Sequence, residues 1–238
     1  MKICTKKRNC SDCGTEFVAY DIDWMGRQVF HQQRCESCTE AAQRDYDAAE
    51  KVAHIEQQQM AFAAVCPPLY RETNLSQLHS KFRQVAQTWR YGSRGLGLVG
   101  SSGMGKTRIA YWLLRQMLTS GHSIQATNAT TFARLCVDQF ADDRIHRSSA
   151  VTTIYSYYSV DVWLLDDLGQ HRMTDRVEAE LYAVLERRTT QRLPTIWTSN
   201  AMGEDLAAMF SDKRSEAIMR RLTDFNDIVT VWQEEALC

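Results

Sequence analysis

A chain of 238 residues has room for one α/β core and one small accessory module. Its 44% hydrophobic and 24% charged content is that of an ordinary folded protein, and a net charge of −1 excludes nucleic-acid binding through bulk charge, leaving only local patches. With 3 Pro and 11 Gly, long linkers and low-complexity tails are excluded, and no run approaches the length of a membrane span. Met1 to Cys10 is polar and basic with no apolar stretch behind it, so no signal peptide is expected. The expected setting is cytoplasmic, where the 8 Cys stay reduced unless metal holds them.

Cys10-x2-Cys13 and Cys35-x2-Cys38 are the first chemical landmark. Between them, Phe17-Val-Ala-Tyr20 and Gln28-Val-Phe30 read as two hairpin strands. Two such knuckles at this separation predict a tetrahedral four-cysteine zinc site of the ribbon kind. The physical reason is size: about 40 residues bury too little apolar surface to fold alone, and metal supplies the missing free energy. Cys4 and His31 are possible substitutes for one ligand. Cys66, Cys136 and Cys238 are isolated and read as ordinary thiols. A closed site of this kind leaves no open position for catalysis, so the module is structural or binds a partner.

From Glu36 to Val65 the composition is rich in Ala, Gln and Glu and lacks Gly and Pro, which predicts a long connecting helix. Cys66-Pro-Pro68 ends it, and a domain boundary is placed there, giving residues 1–66 and 67–238. A lead-in follows, with a helix expected from Ser76 to about Trp89.

Gly100-Ser101-Ser102-Gly103-Met104-Gly105-Lys106-Thr107 fits the P-loop pattern G-x-x-x-x-G-K-S/T. An apolar run, Gly95 to Val99, precedes it as a buried strand. Arg108 to Leu118 follows with apolar residues at helical spacing and a stop at Gly121. Strand, glycine loop and helix are the context the motif requires. Backbone N–H groups and the helix N-terminus would cradle phosphates, Lys106 would reach the β/γ-phosphates of ATP, and the Thr107 hydroxyl would ligate Mg²⁺.

Ser123 to Thr127 reads as the next strand and Thr130 to Ala141 as a helix. The polar stretch Asp142 to Ser149, with Arg144, His146 and Arg147, reads as a solvated loop, in preference to a nucleic-acid contact. Val162-Trp-Leu-Leu-Asp166-Asp167 is a buried parallel strand with two acids at its C-terminal edge, a Walker B pattern. The first acid would hold Mg²⁺, and the second would orient or deprotonate the attacking water. Asp167 is one methylene shorter than the glutamate of fast ATPases, which suggests slow, switch-like turnover. An amphipathic helix from Arg176 to Thr189 precedes a strand ending in Thr198-Ser199-Asn200. Asn200 could bond the attacking water or γ-phosphate, whereas Ser199 also suits a helix cap. A helix from Ser215 to Leu222 carries Arg220 and Arg221, and Asp227 to Trp232 is the last strand. The six residues that follow it are too few for a helical lid.

From about Pro67 to Trp232 the chain resembles the AAA+ ATPases of bacterial helicase loaders of the DnaC and DnaI type, and their IstB-type transposition relatives. The residues that carry this are Cys66-Pro-Pro-Leu-Tyr-Arg71, the P-loop, Leu164-Leu-Asp-Asp-Leu-Gly169, Thr198-Ser-Asn200 and Ala217-Ile-Met-Arg-Arg-Leu222. The resemblance implies an α/β P-loop fold without a C-terminal lid and an ATP-dependent oligomer. In such an oligomer an arginine from one subunit completes its neighbour's site. By motif position that arginine is Arg221, with Arg220 the rival. It further implies an N-terminal zinc module that grips a replicative helicase and an ATPase domain that helps place the helicase on single-stranded DNA. The alternative is an IstB-like regulator of transposition. A small-molecule kinase is disfavoured by the missing lid and by Asn200 and Arg221. Around the cysteines, Asp12, Glu16, Asp21, Asp23 and Glu36 offset Lys6-Lys7-Arg8, which favours a protein partner over DNA for that module.

Overall fold

The computed structural model describes residues 2–25, 27–92, 94–169 and 173–233. Cys238 and most of the segment after the last strand lie outside them. The chain divides into two units, Met1–Gln59 and Met60–Cys238, each taken here by itself. The division falls inside the connecting helix, upstream of the Cys66-Pro67 position suggested by composition.

In the first unit, β1 (Lys2–Asn9), β2 (Glu16–Trp24) and β3 (Arg27–His31) form an antiparallel sheet in that order. The predicted hairpin is β2–β3. β1 was not anticipated, because Met1 to Cys10 is polar and basic. It pairs because acids face it across the ladder: the Arg8 guanidinium donates to both oxygens of buried Asp21, at 2.8 and 2.6 Å. His31 on β3 sits 3.1 Å from the same carboxylate. The Arg8 hydrogen bonds hold the Asp21 carboxyl below its ordinary pKa. One polar cluster thus ties all three strands. After β3 comes α1 (Glu36–Val65), uninterrupted as predicted.

The second unit begins in the last turns of α1. α2 (Pro68–Arg71) follows, starting on a proline whose missing N–H is no loss in a first turn. Arg71 donates to Ala63 O at 2.8 Å and Cys66 O at 3.0 Å, satisfying carbonyls at the end of α1. The lead-in helix is shorter than expected. Leu75–Gln77 is a single 3₁₀ turn, and α3 (Ser80–Thr88) starts afresh from His79, whose Nδ1 accepts from Lys81 N.

The remaining elements alternate: β4 (Gly95–Gly100), α4 (Lys106–Thr119), β5 (Ile124–Asn128), α5 (Ala129–Asp138), α6 (Arg144–Tyr157), β6 (Val162–Leu168), α7 (Asp175–Thr190), β7 (Thr195–Ser199), α8 (Glu204–Ala207), α9 (Ser215–Thr223) and β8 (Asn226–Val231). α6 is a correction: the stretch Asp142 to Ser149 is not a solvated loop. The Asp143 carboxylate accepts from His146 N at 2.7 Å and starts a helix there. Its inward residues Ala150, Ile154 and Tyr157 lie beyond the polar stretch that suggested a loop. α8 also went unread, being a single turn.

The strands form a five-stranded sheet in the order β5-β6-β7-β4-β8, with every pair parallel. Alternate residues feed two cores, one on each face. Leu96, Leu98, Leu164 and Ile196 pack with α3 and α4. Val99, Trp163, Leu165 and Trp197 pack with α5, α7 and α9. Fully buried Arg188 of α7 donates to the backbone oxygens of Tyr157, Val160, Asp161 and Pro194, binding the loops that enter β6 and β7. Burial lowers its pKa to about 9, so it remains charged at neutral pH. Among the described residues, no helix is long and apolar enough to cross a membrane.

Candidate nucleotide site and cysteine cluster

The C-terminal ends of β4, β6 and β7 meet where α4 begins, so the residues they carry share one sheet edge. Gly100 ends β4 with φ 145°, and a Cβ there would lie 1.8 Å from Val231 O. Only glycine lets the loop leave the strand at this point. Gly105 precedes α4 with φ 92°, placing the N–H groups of Lys106 and Thr107 at a helix N-terminus.

Lys106 is buried, and its ammonium meets three oxygens of the chain itself. It donates to Gly100 O and Ser101 O at 2.8 Å each, and to Asn200 Oδ1 at 2.7 Å. Burial lowers its pKa, and the charges of Asp167 and Asp166 oppose that shift. The Thr107 hydroxyl donates to Asp166 Oδ1 at 3.0 Å, and the Thr198 hydroxyl donates to the same oxygen at 2.6 Å. Burial raises the Asp166 pKa and the neighbouring Asp167 charge adds to it, against the pull of the two hydroxyls. The 3.0 Å between Thr107 Oγ1 and Asp166 Oδ1 suits a magnesium ion, because neighbouring oxygens of an octahedron about 2.1 Å from the metal lie about 3.0 Å apart.

A cleft of about 320 Å³ opens over these groups and is lined by Ser102, Gly103, Lys106, Thr107, Asp167 and Asn200. The predicted loop, both acids and the strand-end asparagine therefore converge. Leu69 and Tyr70 also line the cleft, which sequence reading did not single out. Tyr70 stacks on Tyr111 with centroids 5.4 Å apart, and Arg108 lies 5.7 Å over its ring. The only sequence signal was their place in the Cys66 to Arg71 motif. Ser199 points elsewhere: its hydroxyl donates to Leu168 O and accepts from Ala201 N, a strand-end role.

Arg220 and Arg221 do not line this cleft. Arg221 is largely buried against α7: it pairs with Glu186, donates to Tyr182 Oη at 3.2 Å and lies 4.6 Å over the Tyr182 ring. Arg220 is exposed, with Asp224 at 3.7 Å.

In the first unit, Cys10, Cys13, Cys35 and Cys38 bring their sulfurs within 4.8 Å of one another. Cys13 and Cys35 sulfurs are 3.7 Å apart, close to the edge of a tetrahedron of thiolates about 2.3 Å from zinc. Gly14, at φ 74°, turns the first knuckle, and Cys35 N donates to Cys10 Sγ at 3.3 Å. The backbone N–H groups of Cys13 and Cys35 lower the Cys10 pKa to about 6, favouring a thiolate there, while the neighbouring sulfurs push Cys38 up to about 12. His31 is drawn to Asp21 and Arg8, and neither it nor Cys4 belongs to the cluster.

The IstB-like ATP binding protein family profile matches residues 75–236. The replicative helicase loader DnaI of Bacillus subtilis (strain 168) is 27% identical over 119 residues, covering 50% of this chain and 37% of that relative's length. Among solved structures, that of DnaI superposes with TM-score 0.57 at 19% identity, covering 69% of this chain and 94% of that one. The DnaC helicase loader superposes with TM-score 0.53 at 21% identity, covering 69% of this chain and 99% of that one. At these identities the structures establish the P-loop AAA+ fold and nothing finer. The profile match over more than half of the chain shows that this chain belongs to the IstB-like ATP-binding protein family.

Proposed function

We propose that this chain is a magnesium-dependent ATPase that serves as a helicase loader, binding a replicative DNA helicase and helping to place it on single-stranded DNA. The observation that carries the ATPase reading is the convergence of Lys106, Thr107, Asp167 and Asn200 on one cleft, with Asp166 bonded to Thr107 beside it. The P-loop N–H groups of residues 100–107 and Lys106 bind the phosphates. Thr107 and Asp166 would hold magnesium, which would supply positive charge beside the phosphates. Asp167 accepts a proton from, or orients, the attacking water, and Asn200 fixes its direction. An arginine of the Arg220–Arg221 pair, supplied by a neighbouring subunit of an ATPase-domain oligomer, completes the charge around the γ-phosphate.

Residues 1–66 are the partner-binding domain and residues 67–238 the ATPase domain. Cys10, Cys13, Cys35 and Cys38 hold one structural zinc as thiolates. The setting is the cytoplasm. The loader reading draws on the alignment with the B. subtilis replicative helicase loader. The second reading, prompted by the IstB-like family name, is an ATP-dependent regulator of DNA transposition. Immobilising the full chain with ATP and offering purified replicative helicase and purified transposase separates the two. Retention of helicase, lost in Cys35→Ser, supports the loader, and retention of transposase alone overturns it.

A further inference from the structure

Thr198 sits on β7, fully buried, where the β6–β7 ladder slips. Leu165 pairs with Trp197 and Leu168 with Ser199, so Asp166 and Asp167 of β6 together face Thr198. This is a bulge, one extra residue on one strand. Asp167 has φ 58°, a left-handed conformation rare for a residue with a side chain and best tolerated by Asn and Asp. The turn it makes brings the Asp167 carboxylate to the cleft rather than to the alternating face of a regular strand.

The Thr198 hydroxyl spans this bulge. Its O–H donates to Asp166 Oδ1 at 2.6 Å, and its oxygen accepts the Asp167 N–H at 2.9 Å. A hydroxyl has one proton and two lone pairs, so the two bonds use different parts of it and reinforce one another. No apolar isostere can do either. The bulge otherwise leaves the Asp167 amide without its ladder partner, because the extra residue has no counterpart on β7.

We infer that Thr198 is a positioning residue for ATP hydrolysis: its one hydroxyl fixes the Asp166 carboxylate for magnesium and, through the Asp167 amide, sets the backbone that presents the Asp167 carboxylate to water. The inference rests on the ATPase reading above. It goes beyond that reading by assigning the geometry of both acids to a buried side chain that does not line the cleft.

The test uses the full chain as Thr198→Val, which keeps shape and loses the hydroxyl, and Thr198→Ser, which keeps the hydroxyl. Three quantities are read: amide exchange of the β6 C-terminal segment without nucleotide, ATP affinity in EDTA and across a Mg²⁺ titration, and kcat. In Thr198→Val, exchange at Asp167 should rise about tenfold or more as its hydrogen bond is lost. Half-saturating Mg²⁺ should rise and kcat should fall, each about 10- to 100-fold, the range for losing a hydrogen bond to a charged group. Affinity in EDTA should stay unchanged, and Thr198→Ser should return all three near wild type. A Thr198→Val protein with wild-type exchange and Mg²⁺ dependence overturns the proposal alone. So does an affinity loss equal in Mg²⁺ and EDTA, or a Thr198→Ser variant as impaired as Thr198→Val. A wild-type chain that neither binds nor hydrolyses MgATP overturns the ATPase reading, and the positioning role with it.

Discussion

The Lys106 ammonium donates to Asn200 Oδ1 at 2.7 Å, joining the start of α4 to the end of β7 across 94 positions of sequence. The P-loop cation and the strand-end amide therefore line the same cleft. Lys106→Ala should weaken ATP binding by about 100-fold or more, since it removes a charge and two or more charge-assisted hydrogen bonds to phosphate. Asn200→Ala should leave affinity within about threefold while slowing turnover, a loss confined to the transition state. Titration with a fluorescent ATP analogue and single-turnover hydrolysis separate the two effects.

Asp167→Asn should keep ATP and Mg²⁺ affinity and lose about 10²- to 10⁴-fold in turnover, the usual contribution of a general base. The φ of 58° is tolerated by asparagine as by aspartate, so the bulge survives the substitution. A variant with wild-type turnover removes Asp167 from the mechanism.

Asp166 should show a pH signature in stability. Burial raises its pKa in the folded chain, so ionising it costs the native state more than the unfolded state. Its favourable contribution is present below the ordinary Asp range and is lost as pH rises through the raised value. Asp166→Asn should therefore be more stable than wild type at pH 7 without Mg²⁺ and equal to it at pH 3. Each kcal/mol released appears as roughly 2–4 °C in Tm for a chain of this size. A variant less stable than wild type at pH 7 contradicts this account.

The four-cysteine cluster predicts one zinc per chain, released together with protons as pH falls and the thiolates protonate. Cys35→Ser should lose the metal, and with it the folding of the β1–β3 sheet, while the ATPase unit stays folded. Metal analysis and limited proteolysis report both. Full zinc occupancy in Cys35→Ser would assign the site to other ligands.

Arg221 faces two demands, because in its own chain it is held by Glu186 and the Tyr182 ring. If it also acts on a neighbour's ATP, hydrolysis should rise more than linearly with protein concentration. Arg221→Lys should then bind ATP normally and lose about 10³-fold or more in turnover, the range for an arginine finger. Mixing it with Lys106→Ala should restore part of the activity, since one supplies the P-loop and the other the arginine. Wild-type turnover in Arg221→Lys transfers the role to exposed Arg220, tested in the same way.

Much of the architecture was legible because its signals are local. A glycine loop between an apolar run and an amphipathic helix can be read in one window. The same holds for the apolar strand ending in Asp166-Asp167, the paired cysteine knuckles and the proline stop after Val65. What failed was also local: β1 is polar and basic and is tied to β2 by contacts such as Arg8 with Asp21, and α6 opens with polar residues whose apolar face comes later.

By itself the sequence determined the strands and helices around the phosphate-binding loop, the loop itself, the acids and the four thiols, since residue type and spacing set hydrogen-bonding capacity and periodicity. Only the tertiary structure decided which of these meet. Strand order placed β7 between β4 and β6, bringing Asn200 to Lys106 and Thr198 to both acids. It likewise turned Arg221 toward Glu186. The reason is that a side chain's partners across a sheet depend on register and strand order, which are settled by burying two apolar faces at once and not by any one stretch of chain.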